Sequence, residues 1–153
     1  MIRIMAALLC LFLAACSTTS TVYQPLSPQG EAVRAYGYAF ENNGGDDLEG
    51  IARLDRLIHG RLLQAGLVAS GGAAPEGSVN IELTHYYVRS NAARFWVGIM
   101  AGRDKIVSRV TVLGADGAEI GSFEVETTNI SAWGSTEGLM EKHAEEIVSR
   151  LRG

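Results

Sequence analysis

Hydrophobic residues follow two rhythms along this chain: alternation with polar neighbours, and recurrence at three- and four-residue steps. Alternation is the period of a half-buried strand, and the longer step is the period of one helix face. Tyr36, Tyr38 and Phe40 alternate with small residues, so Val33 to Phe40 reads as a first strand. Ile51, Leu54, Ile58, Leu62 and Ala65 form one stripe, which predicts a helix from Leu48 to Ala65. Asp46 or Asp47 caps its start, and Gly66 is placed to end it. Gly60 costs about 1 kcal/mol relative to Ala inside that helix. Close packing against a sheet would explain it, and His59 beside it reads as a surface residue.

From Val79 to Arg89, Val79, Ile81, Leu83, His85 and Tyr87 share one face, with Asn80, Glu82, Thr84 and Tyr86 on the other. His85 thus falls in the apolar phase, as a buried or half-buried group with a hydrogen-bond partner. Asp104 to Leu113 and Ala118 to Thr128 read as a hairpin, because Asp116-Gly117 supplies the positive φ of a tight turn. Thr136 to Arg152 is an amphipathic helix with the stripe Met140, Ala144, Ile147 and Leu151. Glu137 in its first turn and Arg150 and Arg152 in its last suit the helix dipole. His143, Glu141, Glu145 and Glu146 read as its solvated face. The order is β-α-β-β-β-α. It predicts an α+β, two-layer fold: a four-stranded mixed sheet with both helices on one face, burying both stripes. A right-handed crossover makes the first two strands parallel, and the last three form an antiparallel meander.

The N-terminal region is different. Arg3 precedes an apolar run, Ile4 to Leu13, and two small residues then lead to Cys16. A basic start, an apolar core of about 7–15 residues and small residues before a cut form an export signal. The run is shorter than the ~20 residues a membrane-spanning helix needs. An ordinary cleaved signal would leave Cys16 as an unpaired thiol in an oxidising compartment. Leu13-Ala14-Ala15-Cys16 resembles the lipobox of bacterial lipoproteins. That resemblance implies acyl chains on Cys16 and loss of residues 1–15. Ser17 after the cysteine, by resemblance to proteobacterial lipoproteins, favours the periplasmic face of the outer membrane. Residues 16–32 are polar and carry Pro25, Pro28 and Gly30, the composition of a flexible tether. Only Val22 and Tyr23 offer material for an edge strand. Residues 33–153 form one domain.

Composition narrows the chemistry. The chain is 47% hydrophobic and 20% charged, which is globular, and its formal charge is −4. Removal of Arg3 makes the charge one unit more negative, so there is no electrostatic reason to bind nucleic acid. Cys10 leaves with the signal and Cys16 is acylated, so the domain holds no disulfide. The acids of 41–47 do not have the spacing of a calcium loop. His143 lacks the second histidine four residues away that a zinc protease helix needs. Gly98 to Gly102 lacks the Lys-Ser/Thr of a P-loop. No metal or cofactor is expected. The alternative of an envelope-polymer hydrolase rests on Glu82, His85 and Asp104 as acid–base groups, with no motif order to support it.

The most unusual stretch is Arg94-Phe95-Trp96-Val97-Gly98-Ile99-Met100-Ala101-Gly102. Strand directions place it at the same end of the sheet as Trp133, and the crossover brings 41–47 there. Loop aromatics with Ile and Met have the composition of an interface core. Arg94, Phe95, Trp96, Ile99, Met100 and Trp133 are therefore the candidate docking residues, for a protein partner or another copy of the chain; the same loops also read as lying at the membrane surface, which Trp favours, or as packing on each other to close the end of the core. Arg94, Gly98 and Gly102, followed by a strand, the Asp116-Gly117 turn, a second strand and an amphipathic helix, resemble bacterial lipoproteins of the domain of unknown function 4410 family. The resemblance spans about Leu48 to Gly153. It implies a small α/β envelope lipoprotein without catalytic residues to carry over. Related lipoproteins are accessory factors in envelope assembly or polysaccharide export. Asp104-Lys105 stands where that pattern leads one to expect small or apolar residues.

Overall fold

A computed structural model describes residues 16–27, 35–69, 74–89, 103–129 and 135–152. The elements are β1 (Cys16–Gln24), β2 (Tyr36–Asn42), α1 (Leu48–Gln64), β3 (Gly77–Tyr87), β4 (Asp104–Gly114), β5 (Glu119–Asn129) and α2 (Thr136–Arg152). They form one sheet in the order β1-β5-β4-β3-β2. The pair β2–β3 is parallel, as the crossover requires, and β3–β4–β5 is an antiparallel meander. Both helices lie on one face over a single apolar cluster, and the fold is α+β.

The sheet has five strands, not four. The additional strand is β1, drawn from the segment whose composition reads as a tether. Its register places Thr18 opposite Thr127, Ser20 opposite Val125 and Val22 opposite Phe123. Its inward positions include Thr18 and Ser20, and the Ser20 hydroxyl donates to Glu146 Oε1 at 2.9 Å. A strand whose inward face is hydroxylic shows no apolar alternation. The β-branched threonines still suit its backbone.

Asp47 caps α1, accepting from the Gly50 backbone N–H at 3.0 Å. Ile51, Leu54, Ile58 and Leu62 are buried as one stripe, and Gly66 turns the chain at φ +70°. Each such side chain contributes about 1.5–3 kcal/mol of burial. Gly60 packs against nothing: a Cβ built there would meet no atom within 4 Å. Gly60→Ala is therefore expected to raise stability by about 1 kcal/mol, seen as a higher urea midpoint. An unchanged or lower midpoint would contradict the open surroundings of that residue. His59 stacks on Tyr38 with ring centroids 4.6 Å apart, while the Tyr38 hydroxyl donates to Asp55 Oδ1 at 2.7 Å.

One bulge changes the β3 reading. Leu83 pairs with Ser108 and His85 with Val107, so Thr84 is an extra residue on β3. An extra residue reverses every later side chain. Tyr86 therefore turns into the core, while His85 and Tyr87 are exposed on the open face. The apolar phase through His85 and Tyr87 is thus overturned, and His85 is neither buried nor half-buried. The open face also carries the ion pairs Lys105–Glu126 at 2.7 Å and Arg109–Glu124 at 3.9 Å. Exposed pairs of this kind contribute about 0–1 kcal/mol each.

Candidate functional site at one end of the sheet

The register gathers several chain ends together. Cys16 pairs with Asn129, and Asn129 also pairs with Asp104. Tyr87, the last residue of β3, pairs with Lys105. The start of β1, the end of β3, the start of β4 and the end of β5 therefore share one end. The loop after β2 joins them, since the Asn43 N–H donates to the Leu83 carbonyl and the Tyr86 N–H to the Gly44 carbonyl. Gly44 lies against β3 so closely that a Cβ would stand 2.6 Å from the His85 backbone nitrogen.

A buried ion pair closes this end. Asp104 Oδ1 accepts from Arg89 Nε at 2.8 Å and from the Arg89 backbone N–H at 2.9 Å. The two side chains are only 2% and 0% exposed. Arg89 precedes and Asp104 follows the connection 90–102, so the pair fastens both of its ends. Asp104-Lys105, the departure from the family pattern, is thereby explained: Asp104 forms the clamp and Lys105 pairs with Glu126. Beside it lies a cleft of about 410 Å³, lined in part by Asp47, Arg53, Tyr86, Arg89, Glu137 and Met140. Arg53 lies 3.5 Å from Glu49 and 3.9 Å from Glu137, so acids offset its charge. Burial and the Asp47 charge push the Tyr86 hydroxyl up to about 12, so it stays a neutral hydroxyl.

The three acid–base candidates do not converge. Glu82 is on the open face, accepting from Asn43 Nδ2 at 3.1 Å, and His85 is on that face too. Asp104 points to the helix side and is held by Arg89. Arg94, Phe95, Trp96, Ile99, Met100 and Trp133 lie outside the described residues. Cys16 is the first residue of β1. Among the described residues, no cluster of three metal-ligating side chains occurs and no helix is long and apolar enough to cross a membrane.

His143 is a correction. It is fully buried rather than solvated, and lies between Thr127 Oγ1 at 3.0 Å from Nδ1 and Ser108 Oγ at 2.8 Å from Nε2. Either neutral tautomer is satisfied, because each hydroxyl both donates and accepts. Ser108 and Thr127 are 0% exposed, so no substrate reaches the hydroxyl beside this imidazole; the cluster is a polar plug in the core. Burial pushes the His143 pKa down to about 3. A signal was available. Residue 143 is three after Met140 and four before Ile147, on the buried stripe. Arg89 offered none, because its partner is fixed only by strand pairing.

Residues 49–132 match the model of a family described as Domain of unknown function (DUF4410). Solved structures share the fold, among them two of PelC. A variant of the PelC dodecamer from Paraburkholderia phytofirmans has a TM-score of 0.59 and 12% identity, covering 90% of this chain and 98% of that one. The PelC dodecamer of the same organism, in another crystal form, has a TM-score of 0.59, 10% identity and the same coverage. No curated protein matches this chain.

Proposed function

The chain belongs to the DUF4410 family, and from that premise we propose that it is a non-catalytic assembly module of the cell envelope. In this reading acyl chains on Cys16 anchor it to the periplasmic face of the outer membrane. It docks through Arg94, Phe95, Trp96, Ile99, Met100 and Trp133 onto a protein partner or further copies of itself. The observation that supports this most is the register. The segments 90–102 and 130–134 leave the sheet at the end where β1 begins, and the Arg89–Asp104 pair fixes the base of the first. The dodecameric state of PelC favours self-association as the form of docking. The uncharged β1, at the edge of the sheet, adds backbone groups that another strand can pair with.

The test is the mass of the native particle in detergent, by light scattering, with and without Phe95→Ser and Trp96→Ser together. A multimer that dissociates in the double variant while the melting temperature stays within ~2 °C is the expected result. A monomeric native protein that also captures no partner from membranes overturns the proposal. So does a complex indifferent to both substitutions.

A further inference from the structure

The tether expected between the acylated residue and the domain is largely taken up by β1. Residue 16 is already in the sheet, opposite Asn129. Paired antiparallel residues have Cα atoms about 4.5–5.5 Å apart, so an anchor on Cys16 has no free chain by which to stand away. From Cys16–Asn129–Asp104 the strands run in one direction only. The eleven residues of β4 carry the chain about 33 Å to Gly114 and the turn at 115–118. The first turns of both helices lie towards the same end as Cys16: α1 follows the loop beside Gly44 and Tyr86, and α2 follows β5.

We propose that the lipid bilayer is the surface this end faces: the sheet stands on the membrane by the end holding Cys16, Asp104, Asn129 and loop 43–47, with the Asp116-Gly117 turn furthest from it. This rests on acylation of Cys16, as read above. It adds an orientation to that reading. Docking at that end then takes place in the plane of the headgroups, with partners beside the protein at the membrane rather than above it in the periplasm. The opposite end, with the C-terminus of α1, the C-terminus of α2 and Leu26 beside Gly121, faces the aqueous space.

The experiment uses the full chain, exported and purified with its native modification. One fluorophore is attached through Arg103→Cys or Ala118→Cys, both at exposed positions. The proteins are reconstituted into phosphatidylethanolamine–phosphatidylglycerol vesicles carrying headgroup-nitroxide lipids, and intact mass is measured on the same samples. Arg103 immediately precedes Asp104, so its probe should lose most of its emission, while the probe at 118 should lose none. Equal quenching at the two positions, or stronger quenching at 118, on protein with acyl mass overturns the orientation and leaves the lipoprotein reading standing. Protein that begins at Cys16 without acyl mass, or that retains residues 1–15, overturns both.

Discussion

Asp104→Ala is expected to lower the unfolding free energy by about 3–5 kcal/mol, because it takes the carboxylate partner away from the buried Arg89 guanidinium. The pair is almost wholly excluded from water, and the same carboxylate oxygen also satisfies the Arg89 backbone N–H. Domains of this size have about 5–15 kcal/mol in total, so the loss is a large share and shows directly in urea unfolding. The double variant Arg89→Met, Asp104→Leu separates charge burial from other causes. Apolar replacement of both partners is commonly neutral or better. What stays unrecovered is about 1–3 kcal/mol for the backbone N–H that loses its acceptor. A single variant within ~1 kcal/mol of the native protein would contradict the burial of the pair.

Acid is expected to unfold the protein partly through His143. Its folded pKa of about 3 lies below the ordinary value of 6.5, so the unfolded chain takes up a proton that the folded chain refuses. The sign follows: stability from this group is complete above pH 6.5 and is lost as pH falls, by about 1.4 kcal/mol per unit, until about pH 3. At pH 4.5 the loss is about 2.7 kcal/mol relative to neutral pH. His143→Gln keeps a donor and an acceptor for Thr127 and Ser108 without a titrating ring. Its stability should fall less steeply between pH 6.5 and 4.5, by about that difference. Parallel pH profiles for the two proteins would exclude His143 as the source. The carboxylates common to both cancel in the comparison.

What the residues disclosed follows from where periodicity survives. The α1 stripe is plain because four apolar side chains face one core, and Asp47 and Gly66 bracket the helix with unambiguous cap chemistry. The parallel crossover and the meander follow from element order. β1 is hidden because its inward positions Thr18 and Ser20 are hydroxylic, so their burial leaves no apolar trace. The β3 bulge was hidden for another reason: one extra residue at Thr84 has no composition of its own, yet it moves Tyr86 inward and His85 outward. His143 lies on the buried stripe, but its polar ring stands among Glu141, Glu145 and Glu146 and so reads with them as solvated. At the sheet end, the lengths of the connections were visible, but the Arg89–Asp104 clamp needs register to the residue. Of the acid–base candidates, Glu82 and His85 share the open face, and the pairing of Asp104 takes it to the other side.

The β1–β5 pairing also fixes an order of events. Cys16 meets Asn129 only after almost the whole chain has been made, whereas β3, β4 and β5 pair across far smaller separations in sequence. Loop closure over such a separation costs more entropy than any hairpin here, so the first strand synthesised is the last to dock. Until then its nine residues are an uncommitted ribbon and the outer edge of β5 is bare. A chain interrupted before β5 therefore leaves Cys16–Gln24 without its native neighbour, open to proteases and to the strands of other molecules.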